Sequence, residues 1–483
     1  MSVWAPPDFA YAPALESTAA VALRATYGLF VGNEWIDAHD GATFATHNPA
    51  TEEVLARVAC GGEDDVDRAV RAARRGYDKY WRKMRPAERA KYAYRIARAL
   101  TERSREFAVV ETLDAGKPIR QSRDFDVPQA AAHLFYHAGW ADKTAWTSPG
   151  ADRVRALGVV AAIVSSDFPL LAALRKIAPA LAAGNTVVLK PAETTPLSAL
   201  LLAQVCAEAD LPPGVLNVVT GDAATGAALA THADLDAVSF AGSTDVGKAI
   251  RRATAGTPVR LALELGGKSA IVVYDDAALD QAIEGAVDAF ASGGRSASAP
   301  SRLLVQENVA GEVSDRLRAR LSTLRHGDPL DANTDVGAVV SRARRDAIAE
   351  HVAGGVADGA TLVQAPFVPP ECGFWFPASL LTHVEPAFRI ARDEVHGPVL
   401  CVMTFRTPAE AIERANNVPF GLSASVWTGS GALALYTAHR LRTGTVWCNT
   451  VGRFDPSAPS GGYKESGFGR EGGLTGFRAY LQP

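Results

Sequence analysis

From Leu157 onward, short apolar runs alternate with longer amphipathic stretches, and this alternation is the strongest pattern in the chain. Val159 to Ser165, Thr186 to Lys190, Val215 to Thr220, Ala237 to Phe240 and Arg260 to Leu265 are largely apolar and rich in β-branched residues. Such runs fit parallel strands that are covered on both faces. Between them, Pro169 to Ala183, Pro196 to Ala209, Ala224 to His232 and Ser243 to Thr254 carry helical spacing and read as crossover helices. Together they predict a doubly wound α/β sheet, a class whose ligands bind beyond the carboxyl ends of the strands.

The flanking regions have different textures. Gly28 to Trp35 reads as a short hairpin turning at Gly32-Asn33, and Glu63 to Tyr80, Pro86 to Ser104 and Pro128 to Trp140 read as long helices. A second αβ region runs from Ser269 to about Gly452, with strands expected at Ile271 to Tyr274, Arg302 to Gln306, Pro398 to Phe405 and Ser423 to Trp427. No internal repeat or low-complexity tract interrupts the pattern.

Composition narrows the function. At 483 residues there is room for two or three domains with buried cores, and a net charge of -4 gives no general pull toward nucleic acid or anionic membrane. The densest basic run, Arg71 to Arg95, is interleaved at helical spacing and reads as a solvated helix face. Five widely separated cysteines form no C-x-x-C pair, and the histidines show no ligand-type pairing, so no metal or disulfide framework is expected and the cytoplasm is the natural compartment. The N-terminal residues lack a secretory pattern, and Leu157 to Val164, the most apolar stretch, is too short to span a bilayer.

Three segments at predicted strand ends carry candidate chemistry. Val188-Leu189-Lys190-Pro191-Ala192-Glu193 closes one strand, and Phe240-Ala241-Gly242-Ser243-Thr244-Asp245-Val246-Gly247 turns from a strand into a helix whose first amides and dipole suit a pyrophosphate. The third, Leu263-Glu264-Leu265-Gly266-Gly267-Lys268-Ser269, resembles the catalytic-glutamate signature of the NAD(P)-dependent aldehyde dehydrogenases. The closing segment Pro459-Ser460-Gly461-Gly462-Tyr463-Lys464-Glu465-Ser466-Gly467-Phe468-Gly469-Arg470-Glu471 extends that likeness, which spans about Gly28 to Tyr480.

The resemblance implies an α/β aldehyde dehydrogenase fold: an N-terminal extension (1–27), a Rossmann-like NAD-binding domain (28–143 and 159–265), an αβ catalytic domain (266–465), and a reduced bridging or oligomerisation arm (144–158 and 466–483). It assigns Lys190, Glu193, Gly242, Ser243 and Val246 to the adenosine and pyrophosphate end of the cofactor, and Glu394 to the nicotinamide ribose. A glutamate at 193 accepts from a free 2′-hydroxyl and repels a 2′-phosphate, which favours NAD over NADP. Glu264 takes the role of general base.

Five positions depart from the family pattern. The loop Gly294-Arg295-Ser296-Ala297-Ser298-Ala299-Pro300-Ser301-Arg302 resembles G-Q-x-C-x-A-x-S-R, with Ala297 at the nucleophile's place. Counting forward from Glu264 instead reaches Ser298, a poor nucleophile with no histidine base evident. An alanine methyl cannot add to a carbonyl. Asp167 replaces the asparagine whose amide donates to the oxyanion, and a carboxylate repels that charge. His396 stands where relatives carry an aromatic beside the nicotinamide, while Arg295 and Pro300 alter the loop. An engineered loss of one cysteine would not explain the other changes.

The expected function is therefore a nucleotide-binding homologue with its covalent chemistry impaired, a pseudoenzyme or partner subunit. The shortened arm implies a dimer or a hetero-oligomer, and the leader Asp8 to Ser17 resembles a branch in which two units pair and one lacks the nucleophile. A working oxidoreductase using Glu264 without covalent catalysis, or a purely structural subunit, are the alternatives.

Overall fold

The computed structural model describes residues 12–147, 154–294, 296 and 298–482. The predicted hairpin forms as β1 (Leu29–Val31) and β2 (Glu34–Ile36), joined through Gly32 and Asn33 at φ of 64° and 73°. Positive φ at both central residues gives the turn the hand that matches strand twist. Helices α1 (Glu63–Lys79), α2 (Pro86–Glu102) and α3 (Val127–Ala138) follow. The basic run is divided between α1 and α2, and Arg89 corrects its reading as a solvated face. Its guanidinium is buried, donates to the Met84 carbonyl at 2.8 Å, and is pulled down to a pKa of about 10 by desolvation.

The alternating pattern becomes β3 (Val159–Ile163), α4 (Pro169–Ala183), β4 (Thr186–Lys190), α5 (Leu197–Glu208), β5 (Leu216–Val218), α6 (Ala223–Ala230), β6 (Ala237–Ala241), α7 (Thr244–Ala253) and β7 (Arg260–Glu264). β3 and β4 are buried at every position, as a sheet covered on both faces requires.

A second sheet contains β8 (Ala270–Val273), β9 (Arg302–Gln306), β10 (Thr361–Gln364), β11 (Ser379–Thr382), β12 (Val399–Phe405), β13 (Ser423–Trp427) and β14 (Thr445–Cys448), in the order β10-β11-β12-β9-β8-β13-β14. The late strand β15 (Gly467–Phe468) returns to the first sheet, whose order is β15-β7-β6-β3-β4-β5-β1-β2. Arg155–Ala156 pairs with Leu481–Gln482, and a three-stranded sheet from the N-terminal region, which the hydropathy pattern did not announce, lies to one side. The start of the leader falls outside the described residues; its later part runs beside residues 330–332, with Glu16 paired to Arg105.

In the first sheet, β4 lies on one side of β3 and β6 on the other, both parallel to it. The chain order therefore reverses at β3, the switch point at which a crevice opens beyond the strand ends. The register sets Ile163 beside Lys190 and Phe240, and Ala241 beside Glu264. Lys190, the loop to Asp167, the Gly242 turn and Glu264 thus share one edge, as the sequence implied.

Helix α4 begins immediately after Asp167, and a buried charge cluster anchors it. The Leu170 amide donates to Glu111 at 3.2 Å, and the ammonium of fully buried Lys117 lies against both Glu111 and Asp126. Lys117→Met would leave two carboxylates in apolar surroundings with no cation. A loss of about 3–5 kcal/mol in unfolding free energy is expected from urea denaturation.

Candidate active site

The two sheets are joined by the crossing Leu265 to Ser269, and backbone contacts concentrate there. A side chain at Gly266 would begin 2.1 Å from Oε2 of Glu394, so only glycine leaves room for that carboxylate. The next amide, of Gly267, donates to Glu394 Oε1 at 2.9 Å. Ser466 Oγ donates to the Gly266 carbonyl at 2.6 Å, which ties the closing motif to the crossing. Arg302 is buried and donates to the carbonyls of Lys268, Arg414 and Ala415 at 2.9–3.0 Å. Its role at the end of the loop motif is thus to fasten backbone.

The loop before Arg302 seats against the segment that carries Glu394 and His396. Gly294 has φ of 65°, and a Cβ there would fall 2.0 Å from the Gly397 carbonyl oxygen. Downstream, Ser298 N donates to Ser296 Oγ at 3.2 Å, and the Ser298 carbonyl accepts from Ser423 Oγ at 3.0 Å. Ala297, which the resemblance sets at the nucleophile's place, and Arg295 lie outside the described residues.

A cavity of about 270 Å³ opens here, lined by Ser165 to Phe168, Glu264, Ser296, Ser298, Glu394 and His396 on its polar side and by Phe125, Leu171 and Phe454 on its apolar side. Gly242 and Ser243 reach it, whereas Lys190, Glu193 and Val246 lie outside its lining. Lys190 is buried and donates to the Pro191 carbonyl at 3.1 Å; burial lowers its pKa, with Glu193 and Asp222 acting in the opposite sense. Glu193 is exposed, and so are Ser243, which caps α7 by accepting from Val246 N, and Val246. The structure thus gathers Glu264, Asp167, Ser298, Glu394, Gly242 and Ser243 around one space.

Sequence reasoning missed how the departures interact. Asp167 and His396 are partners: His396 Nε2 lies 2.9 Å from Asp167 Oδ1, and its Nδ1 lies 3.5 Å from Glu394 Oε1. Desolvation alone would strip the proton from this buried ring, but the two carboxylates outweigh it and raise the pKa to about 10. A histidine does therefore line the same cavity as Ser298, but not as a base for it. It is an imidazolium held by carboxylates, and an imidazolium has no lone pair with which to act as a base. His396 is also held at φ of 54°, uncommon for a residue with a side chain.

Arg175 and Glu471 were missed as well. Arg175 lies on α4 and donates through Nη2 to Ser460 Oγ at 2.5 Å, with the same nitrogen 3.5 Å from Glu264 Oε1 and its Nε 3.3 Å from Glu471 Oε2. Lys176 is buried against Glu471. The available signal was two adjacent cations, Arg175 and Lys176, within a helix that otherwise reads as interior. Burial raises Glu264 well above the ordinary carboxylate range, with Arg175 opposing and Glu471 assisting. Glu471, facing Lys176 and Arg175, is held low and takes the negative charge of the pair. The candidate base is therefore turned toward a cluster of charges and tends to keep its proton.

A doubly wound sheet, a second αβ lobe and a glutamate-bearing cleft between them define a two-lobed oxidoreductase scaffold. The family model described as "Aldehyde dehydrogenase family" matches residues 35–483. A putative aldehyde dehydrogenase, DhaS, of Bacillus subtilis is 40% identical over 95% of both chains. The mitochondrial aldehyde dehydrogenase of Equus caballus is 40% identical over 94% of this chain and 93% of its own. Among solved structures, an NAD+ complex of aldehyde dehydrogenase from Bacillus cereus superposes with a TM-score of 0.92 at 38% identity, covering 95% of this chain and 96% of that one. A cysteine-to-alanine mutant of an indole-3-acetaldehyde dehydrogenase from P. syringae, in complex with NAD+ and IAA, gives 0.91 at 38% identity with the same coverage. The chain belongs to the aldehyde dehydrogenase family.

The ion pair of His396 makes a prediction about pH. Because the folded ring holds its proton to about 10, above its ordinary value of 6.5, the stabilisation is complete below that ordinary value and is lost as pH rises toward the folded one. The difference in urea midpoint between the wild type and His396→Phe is expected to be greatest at about pH 6 and to shrink toward about pH 10.

Proposed function

We propose that this chain is a nucleotide-binding aldehyde dehydrogenase homologue whose covalent chemistry is impaired, and that it supports a catalytic homologue as a partner subunit in a homo- or hetero-oligomer. The observation that carries the reading is the Asp167–His396 ion pair, 2.9 Å long, at the place where the resemblance implies a neutral amide and an aromatic ring. It fixes a carboxylate where an oxyanion would form, and the loop beside it reads Ala297 where relatives of the implied pattern carry cysteine. The sequence and the site argue the same point from different residues.

The cofactor this reading calls for is NAD. Lys190, Glu193 and the turn from Gly242 to Val246 would hold its adenosine and pyrophosphate. The fit rests on the buried Lys190 ammonium, whose side chain donates only to its neighbour's carbonyl among the described residues, and on the capped start of α7. When bound, NAD supplies a hydride acceptor. Glu264 would be the residue to take a proton from a substrate, but its contacts with Arg175 and Glu471 hold it aside. The same raised affinity for a proton also favours the second reading, an oxidoreductase that uses Glu264 as a base near neutral pH without a covalent intermediate.

Calorimetry is expected to show NAD binding in preference to NADP, and the isolated chain is expected not to oxidise short aliphatic or aromatic aldehydes. Turnover in the common enzymatic range of ~1–10³ s⁻¹ would overturn the impaired reading, and its loss in Glu264→Gln would establish the second. Conversely, Ala297→Cys with Asp167→Asn is expected to restore measurable aldehyde oxidation when neither change alone does. A thiolate and the amide that stabilises its oxyanion depend on each other, so their effects are non-additive.

A further inference from the structure

Glu394 is the residue that the resemblance assigns to the far ribose of the cofactor, and one oxygen of its carboxylate is already engaged by two partners. Oε1 accepts from the Gly267 amide at 2.9 Å and faces His396 Nδ1 at 3.5 Å, while Oε2 presses into the space that a Cβ at Gly266 would fill. His396 in turn is tied to Asp167, which follows β3 of the first sheet, whereas His396 precedes β12 of the second. The chain of charges therefore runs across the cleft from one lobe to the other. At the near end the situation differs: no side-chain hydrogen bond engages the exposed Glu193 among the described residues, and Lys190 has a single carbonyl partner.

We infer that the Asp167–His396–Glu394 triad closes the far end of the cleft, so that the chain recognises the adenosine diphosphate moiety of a nucleotide and gains no affinity from the second ribose or the nicotinamide. The inference rests on the nucleotide-binding reading above. A ribose hydroxyl that approached Oε1 of Glu394 would compete with the Gly267 amide and the His396 ring, and Oε2 is turned against the Gly266 backbone. The imidazolium also sets a positive charge beside the place of the pyridinium ring of NAD+. Both effects act on the distal half of the dinucleotide only, and leave the adenine end as it is in the sequence pattern.

The test is a calorimetric titration of the whole chain with ADP, ADP-ribose and NAD+, repeated on Asp167→Asn/His396→Phe, which removes both charges of the pair at once. For the wild type the three dissociation constants are expected to agree within about threefold, and in the double variant NAD+ is expected to bind about tenfold or more tightly than ADP. Wild-type preference for NAD+ over ADP by about tenfold, or a double variant with an unchanged ratio, overturns the closure while leaving nucleotide binding intact. Failure of all three nucleotides to bind at millimolar concentration overturns the nucleotide reading and the closure with it. The wild-type ratio alone can refute the proposal whatever the stability of the variant.

Discussion

Room is short where the chain crosses from the first sheet to the second, between Leu265 and Ser269, and a side chain at Gly266 would begin 2.1 Å from Glu394. Within this short stretch the Gly266 carbonyl, the Gly267 amide, the Lys268 carbonyl and the Ser269 carbonyl each hold a different part of the protein. They bind Ser466, Glu394, Arg302 and the amides of Ser301 and Arg302 in turn. Backbone groups out of reach of water must find partners, and here the partners come from the three segments that form the cleft. The geometry of the site follows from satisfying one short piece of main chain. The Leu265-Gly266-Gly267 stretch thus has a structural task of its own, apart from any chemistry of Glu264.

Around that frame the charges of the cleft fall into two clusters. Arg175 and Lys176 face Glu264 and Glu471 on one wall, and His396 faces Asp167 and Glu394 on another. On each wall cations lie against carboxylates, which offsets part of the cost of burial. Oε1 of Glu264, by contrast, is buried without a hydrogen-bond partner among the described residues. A scaffold built for reaction needs unsatisfied hydrogen-bonding capacity aimed at the reacting atoms.

The strands and crossover helices were legible because both faces of the first sheet are covered, and uniform burial writes a continuous apolar run; Thr186–Lys190 and Pro169–Ala183 have the bounds that the hydropathy pattern implied. Helix ends elsewhere moved by one or two residues. The third helix begins at Val127, because a turn of wider helix over Ser122–Asp126 carries the chain into it, and Pro128 is accepted in its first turn. The site was legible residue by residue through Glu264, Gly242 and Glu394. What could not be read was pairing across long separations: Asp167 and His396 are 229 residues apart, and each looked like an isolated loss until the fold set them together. Arg175 was hidden for a different reason, since charged side chains on a helix ordinarily point to water.

The closing motif has a consequence for how the protein comes into being. Ser460 and Glu471 supply the partners of Arg175 and Lys176 across 285 and 295 residues, and β15 completes the edge of the first sheet beside β7. During synthesis the nucleotide-binding lobe emerges long before those residues do. Until they arrive, Lys176 on α4 lacks its carboxylate partner, Arg175 has only Glu264, and the sheet carries an open edge beside β7. The first lobe is therefore left waiting for the end of the chain, in the state most prone to wrong association, and the cleft is among the last parts of the molecule to acquire its native form.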